Sequence, residues 1–236
     1  MSRANRYFCD GHVLHVTHRC HRQQFLLKFA RDRRRWRHWL YVAERRYDLS
    51  VLNYVATSNH VHLLLADRGN GEISRSMQLI SGRTAQEFNR RKNRKGAFWE
   101  DRFHATAVQT DSHLLRCITY IDLNMVRARA VGHPSQWDVC GYNEIQSPWG
   151  RKGVIDFERL RYYLGVGTNE ALARLQNAQL DHEIERTQRD PAWTESIAVG
   201  EELYLLQLKQ DLAARGINKH AIDNGTAWVL RDGGRP

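Results

Sequence analysis

Two histidines one residue apart, His60 and His62, sit inside the apolar run YVATSNHVHLLL from Tyr54 to Leu65. Side chains on a β-strand alternate faces, so residues two apart project to the same side. His60 and His62 then present two imidazoles side by side. Leu64 extends that face, while Val61, Leu63 and Leu65 turn to the other. Neutral imidazole is a common metal ligand, and two on a rigid strand supply two-thirds of a facial site. A His-x-His pair is also an ordinary strand feature. Chemistry therefore requires a third ligand, a nucleophile and a surface for the substrate.

The segment DSHLLRCITYIDLNMVRARA, from Asp111 to Ala130, has the pattern of a helix with Asp111 as a plausible N-cap. At about 100° per residue, Leu114, Cys117, Ile118, Ile121 and Met125 share one arc that faces a core. Tyr120 and Asn124, four residues apart, are neighbours on a flank of that arc, with Arg116 and Arg127 near Tyr120 on the exposed side. A tyrosine can attack a phosphodiester and form a covalent phosphotyrosine. Its free pKa of about 10 means that it needs help at neutral pH. A divalent ion helps by polarising the phosphate. Two imidazoles and one amide oxygen hold such an ion while leaving positions open and adding no negative charge. Taken singly, Tyr120 reads as a half-buried helix tyrosine and Asn124 as a surface amide. Spacing alone does not bring the strand and the helix together.

The elements that would have to do so follow from periodicity. His12–Cys20 reads as a first strand. Phe25–Tyr47 reads as a helix, with Phe25, Phe29, Trp36, Leu40 and Ala43 as its apolar stripe. Strands are expected over Ser50–Thr57 and His60–Ala66, joined at Ser58-Asn59 by a tight turn or a bulge. A second amphipathic helix spans Ile73–Arg91, Ala97–Gln109 alternates like a strand, and the Asp111–Ala130 helix follows. This order predicts an α+β fold, an antiparallel sheet with helices packed on it, related to the ferredoxin-like arrangement. Residues 1–147 are expected to form that domain. Residues 148–236 are expected to form a mostly helical C-terminal extension, with a helix over Glu201–Arg215 and a short strand at Trp228–Leu230.

With 236 residues and 42% hydrophobic content the chain can bury a real core, and its net charge of +10, mostly from arginine, calls for an anionic partner. Arg31, Arg33, Arg34, Arg35 and Arg37 crowd the first helix, where Trp36 and Trp39 are interleaved. Arg90, Arg91, Lys92, Arg94 and Lys95 end the second. Forked guanidinium groups suit phosphates. With Arg116 and Arg127, these residues are the candidate DNA-binding set, and a solvated basic face is the plain alternative. No apolar run approaches the roughly 18 residues of a membrane span, and no secretory signal is visible, so no membrane partner and a cytoplasmic location are expected. The cysteines Cys9, Cys20, Cys117 and Cys140 contain no CxxC pair and read as reduced filler. His12, His15, His18 and His21 recur every third residue near Cys9 and Cys20. Residues three apart on a strand face opposite ways, so a zinc site there is disfavoured. Glu100, Asp101 and His104 read equally as supporting groups for a metal or as a charged strand edge.

The runs SNHVHLLL, FWEDRFHA and YIDLNMVRA, in this order, resemble the single-tyrosine HUH transposases, and within them the REP-associated tyrosine transposases, whose usual pattern is Y-I-x-L-N-P-V-R-A. The resemblance runs from the first strand through the third helix, and more loosely to GEELYLLQLKQDLAARG and the terminal WVLRD. It implies a ferredoxin-like HUH nuclease core. It also implies a divalent ion, Mg²⁺ or Mn²⁺, on His60, His62 and Asn124. Tyr120 would be the nucleophile that joins the 5′-phosphate of cleaved single-stranded DNA beside imperfect palindromic, REP-like hairpins. A monomer is expected, with a dimer supplying the tyrosine in trans as the alternative. Met125 stands where the family usually has Pro, and Cys140-Gly141 where it has Ser-Ser, a change expected to affect a local turn or a DNA contact. Two rivals share these residues: a hairpin-binding protein without catalysis, and a replication-initiator or relaxase-type nickase.

Overall fold

The computed structural model describes residues 11–110, 112–185, 190–214, 217, 219–223, 225 and 227–231. The expected α+β architecture is present. Strand β1 (Val13–Arg19) leads into helix α1 (Ala30–Tyr47), then the hairpin β2 (Ser50–Ala56) and β3 (His60–Ala66), helix α2 (Glu72–Arg91) and strand β4 (His104–Val108). These strands lie side by side in the order β2-β3-β1-β4, all antiparallel, which is the split βαβ arrangement. The β2–β3 turn is tight: Thr57 N–H donates to the His60 carbonyl at 2.9 Å, and the Thr57 hydroxyl accepts the His60 N–H at 3.1 Å. The bulge lies elsewhere, between Val51 and Asn53.

Alternation along the strands assigns the two faces. Tyr54 meets Trp36 of α1, and the His18 ring meets Ser81 of α2, so one face carries α1 and α2. Trp36, Leu40 and Ala43 of α1 and Ile73, Met77 and Ile80 of α2 are buried there. Burying each large apolar side chain contributes about 1.5–3 kcal/mol. The helix expected from Phe25 begins only at Ala30. Phe25 and Phe29 precede it and are 66% and 58% exposed, so they are not part of its core stripe.

The opposite face carries α3 (Ser112–Asp122). The single helix expected to reach Ala130 is instead interrupted at Leu123, and one further turn, α4 (Asn124–Arg127), follows. Asp111 lies outside the described residues. Asn53 of β2 anchors α3: its Nδ2 donates to Asp122 Oδ1 at 2.9 Å and to the Ile118 carbonyl at 3.3 Å, while its Oδ1 accepts the Tyr54 N–H. Helix α5 (Gly141–Gln146) packs on β2 beyond it. Cys140 is buried and bridges to Val55, so Cys140-Gly141 belongs to the packing against β2 and not to a DNA contact. The thiols of Cys20 and Cys140 are pushed up to about 12 by burial, as suits filler.

Beyond residue 147 the chain forms α6 (Phe157–Leu164), α7 (Asn169–Glu183), α8 (Ala192–Glu195) and α9 (Glu202–Ala214). It also lengthens the sheet. β5 (Ala198–Gly200) pairs in parallel with β4, followed by β7 (Trp228–Arg231) and β6 (His220–Asp223), making seven strands among the described residues. Helix α7 packs on α3, where Gln176 donates to Asp122 Oδ2 at 2.8 Å. No helix of the described residues is long and apolar enough to cross a membrane.

Two measurements test this packing. A Cβ on Gly141 would stand 2.1 Å from Asn53 Oδ1 and 3.0 Å from the Tyr54 nitrogen. Gly141→Ser, which restores the serine usual in the resembling family, is expected to lower stability by about 1–3 kcal/mol in urea unfolding. Burial raises the Asp122 carboxyl to about 7 against the pull of its amide donors Asn53 and Gln176. The folded state then holds a proton that the unfolded chain has already lost, so stability falls as pH rises from about 4 toward 7. Relative to Asp122→Asn, the native protein is expected to gain stability when pH is lowered from 7 to 5.

Candidate active site

The register of β1 with β3 places Thr17 opposite His62 and Arg19 opposite His60, so these four side chains share the α3 face of the sheet. His60, His62, Tyr120, Asn124 and Arg127 line one cleft of about 400 Å³, together with Thr17, Arg19, Gln23 and Asn59. The strand and helix edges therefore meet as the pairing of motifs requires.

The hydrogen bonds dictate how each imidazole presents itself. Asn59 Nδ2 donates to the Gln23 carbonyl, which turns Asn59 Oδ1 toward His60 Nδ1 at 2.7 Å. An amide oxygen only accepts, so His60 carries a proton on Nδ1, and its Nε2 lies 3.2 Å from Asn124 Oδ1. His62 Nε2 lies 3.0 Å from Asn124 Nδ2. Its Nδ1 lies 2.8 Å from Nε2 of His15, which is fully buried. Burial lowers the His15 pKa to about 4, so that ring is neutral near neutral pH.

This donor set suits a divalent cation. Two Nε2 atoms and one amide converge: His60 Nε2 lies 3.2 Å from Asn124 Oδ1 and His62 Nε2 3.0 Å from Asn124 Nδ2. Imidazole nitrogens and an amide oxygen are donor atoms that a divalent cation accepts. Among the described residues no group of three or more His, Cys, Asp and Glu could hold a metal, so any such site here depends on the amide.

Tyr120 is almost buried, 4% exposed, although it lines the cleft. Its ring stands edge-on to His62 and His15, with centroids 6.0 and 5.9 Å away, and tilts against Trp193 of α8 at 6.2 Å. The Arg127 guanidinium lies 5.1 Å over the ring and donates to the Tyr120 carbonyl at 3.0 Å. Arg116 instead lies 6.0 Å over Trp193. Asp122, two residues from both Tyr120 and Asn124, points the other way, into the Asn53–Gln176 contact.

The remaining expected phosphate contacts divide. Arg31, Arg34, Arg35, Arg90 and Arg91 line a groove of about 700 Å³ between α1 and α2. Within it Arg35 is paired with Glu87 and Arg91 with Asp32, while Arg31, Arg34 and Arg90 are exposed. Lys92 is exposed with its ammonium 5.6 Å over Phe29, and Lys95 is exposed. Three arginines are structural. Arg33 is buried, caps the Leu27 and Lys28 carbonyls and stacks on Trp137. Arg37 holds Tyr54, Glu144 and the Lys152 carbonyl, and Arg94 ties Asn89 to the Ala97 carbonyl. The His12–His21 series diverges as expected: His15 faces α3, His18 stacks on Trp99 on the other face, and His12 reaches Tyr204. Glu100 and Asp101 are exposed and lie outside the cleft lining.

Sequence reasoning missed His15 and Trp193. Alternation put His15 on the face of Thr17, but only the register with β3 brings it to His62. Nothing in the local sequence announces that the Trp193 carbonyl lies 2.8 Å from His15 Nδ1.

Two imidazoles from the sheet and a tyrosine and an amide from the helices packed on it thus line one cleft on a split βαβ scaffold. Residues 9–124, just under half of the chain, match the family model described as Transposase IS200 like. No curated protein matches the sequence. Among solved structures, the chain is similar to a REP-associated tyrosine transposase bound to a REP hairpin, at 20% identity and a TM-score of 0.53 over 66% of this chain and 95% of that one. The likeness shows that the two share a fold.

The split among the arginines is open to measurement. Arg31→Ala and Arg90→Ala are each expected to reduce the slope of log affinity for single-stranded DNA against log salt by about 0.7, with the unfolding midpoint unchanged. Arg33→Ala is expected to leave the slope alone and to cost about 1–3 kcal/mol of stability, through two unsatisfied carbonyls. An unchanged slope in both groove variants would remove the groove from the DNA-binding surface.

Proposed function

We propose that the chain is a metal-dependent transposase and endonuclease acting in the cytoplasm, which cleaves and rejoins single-stranded DNA beside palindromic hairpins. Tyr120 is the nucleophile, and His60, His62 and Asn124 hold a divalent ion, Mg²⁺ or Mn²⁺. The observation that carries this reading is the convergence of Tyr120, His60 Nε2, His62 Nε2 and the Asn124 amide on one cleft.

In the forward step Tyr120 Oη attacks the scissile phosphorus. The Oη–P bond forms as the P–O3′ bond breaks, the phenolic proton passes to solvent, and the departing oxygen takes up a proton to leave as a 3′-hydroxyl. The 5′-phosphate stays on the tyrosine. In the reverse step a 3′-hydroxyl attacks the same phosphorus and expels the tyrosine, so phosphodiester bonds are conserved without an external energy source. A divalent ion held by His60, His62 and Asn124 would supply Lewis-acid polarisation of the phosphate. Arg127 adds fixed positive charge beside the tyrosine ring. Because Tyr120 and the two histidines of one chain share a cleft, a monomer acting in cis is the simplest arrangement. A hairpin as the DNA partner is supported by the exposed arginines of the α1–α2 groove and by the relative bound to a REP hairpin.

Labelled hairpin-flanked single-stranded DNA incubated with the protein and Mg²⁺ or Mn²⁺ is expected to give a covalent adduct on a denaturing gel. Tyr120→Phe gives none, and His60→Ala binds DNA without cleaving it. An adduct that persists in Tyr120→Phe sinks the nucleophile assignment. Tight binding without an adduct on every hairpin leaves a binding protein and not an enzyme.

A further inference from the structure

We propose that His15 is a positioning residue for the metal site, and that with the Trp193 carbonyl it fixes His62 as the Nδ1–H tautomer with its Nε2 lone pair directed into the cleft. This rests on the reading that His60, His62 and Asn124 hold a divalent ion.

The directionality comes from the end of the chain of contacts. The Trp193 carbonyl belongs to the single turn α8, in which the last carbonyls have no intrahelical donor. It lies 2.8 Å from His15 Nδ1, and a carbonyl only accepts, so His15 Nδ1 must carry a hydrogen. Only one hydrogen fits between two nitrogens 2.8 Å apart, and the fully buried His15, with its hydrogen on Nδ1, offers the lone pair of Nε2. The facing His62 Nδ1, 2.8 Å away, must be the donor. His62 Nε2 is left as an acceptor, which agrees with its 3.0 Å contact to the Asn124 Nδ2 donor. Reversing any one tautomer would set two hydrogens or two lone pairs against each other somewhere along this line.

Geometry reinforces the assignment. His15 is fully buried and Trp193 is 3% exposed, so water does not readily substitute for either partner. The His15 and His62 rings are nearly parallel, 15° apart with centroids 5.0 Å apart, which limits rotation of the His62 ring about its Cβ. His60 reaches the same tautomer by a separate local device, the Asn59 amide in the β2–β3 turn. The two ligand rings are thus set independently. His60 is set within the hairpin, whereas His62 depends on β1 and on a backbone group contributed from beyond the segment that matches the transposase family. Outer partners of metal-bound histidines typically act in this way, fixing the tautomer and ring orientation and raising ligand basicity.

The test uses the full chain. In metal-free protein with ¹⁵N-labelled histidine, long-range ¹H–¹⁵N spectra are expected to show His15 and His62 both as Nδ1–H. Mn²⁺ binding, followed by EPR of the free ion, is expected to weaken by about 10–100-fold in His15→Phe, which keeps the volume and removes both hydrogen bonds. His15→Gln retains one donor and one acceptor and is expected to recover most of the affinity. Circular dichroism and the unfolding midpoint identify any variant that has lost its fold, and for such a variant the spectra of the native chain decide. His62 found as Nε2–H, or Mn²⁺ affinity in folded His15→Phe equal to that of the native chain, overturns the proposal while leaving the metal reading intact. Native protein that binds no Mn²⁺, or a His62→Ala variant that binds it undiminished, overturns the metal reading and this role together.

Discussion

One buried amide sets the angular position on which the cleft depends. Asn53 sits at the bulge of β2, takes the Tyr54 N–H on its oxygen and gives its two hydrogens to α3, at Ile118 and Asp122. A helix packed on a sheet through apolar contacts alone can rotate about its axis at little cost, because the hydrophobic effect has no direction. Hydrogen bonds to a specific carbonyl and carboxylate do have direction. Asp122 lies two residues after Tyr120 on the same helix, so fixing its azimuth fixes that of the tyrosine. Gln176 closes the other Asp122 oxygen from α7, and the helix is then held from both sides. Removing either partner would leave a buried polar group unsatisfied, so the network resists change by one partner at a time.

Much of this was legible from the sequence, for a reason that differs between parts. Strands β1, β2 and β3 and helix α2 announce themselves because their periodicities are strong. The pairing of His60 with His62 follows from alternation alone. Tyr120 and Asn124 could be placed on one flank of a helix, but the break at Leu123, which puts Asn124 at the start of its own turn, leaves no mark in the apolar pattern. Phe25 and Phe29 continue the helical spacing of α1 by coincidence, ahead of a helix that starts at Ala30. His15 and Trp193 were illegible as partners because their meeting depends on strand register and on contacts across 178 residues of sequence.

Composition also overstated the basic surface. A run of arginines suggests a uniform positive stripe, but Arg33, Arg37 and Arg94 spend their donors on backbone carbonyls and buried acids. Guanidinium is suited to this, since its rigid fork satisfies several acceptors at once. Arg31, Arg34 and Arg90 remain exposed along the α1–α2 groove. The two imidazoles and the amide of the cleft bring no carboxylate, so these three side chains add no fixed negative charge to it.

The parallel pairing of β4 with β5 has a consequence for biosynthesis. When the ribosome has released everything through α7, strand β4 still has an uncovered edge, with backbone donors and acceptors that invite pairing with another chain. Segment 198–200 caps that edge, and the Trp193 carbonyl just upstream arrives with it. Without segment 193–200 the split βαβ core lacks a partner on its β4 edge, and His15 lacks the Trp193 carbonyl. One short stretch of backbone thus both covers the exposed edge and supports His15.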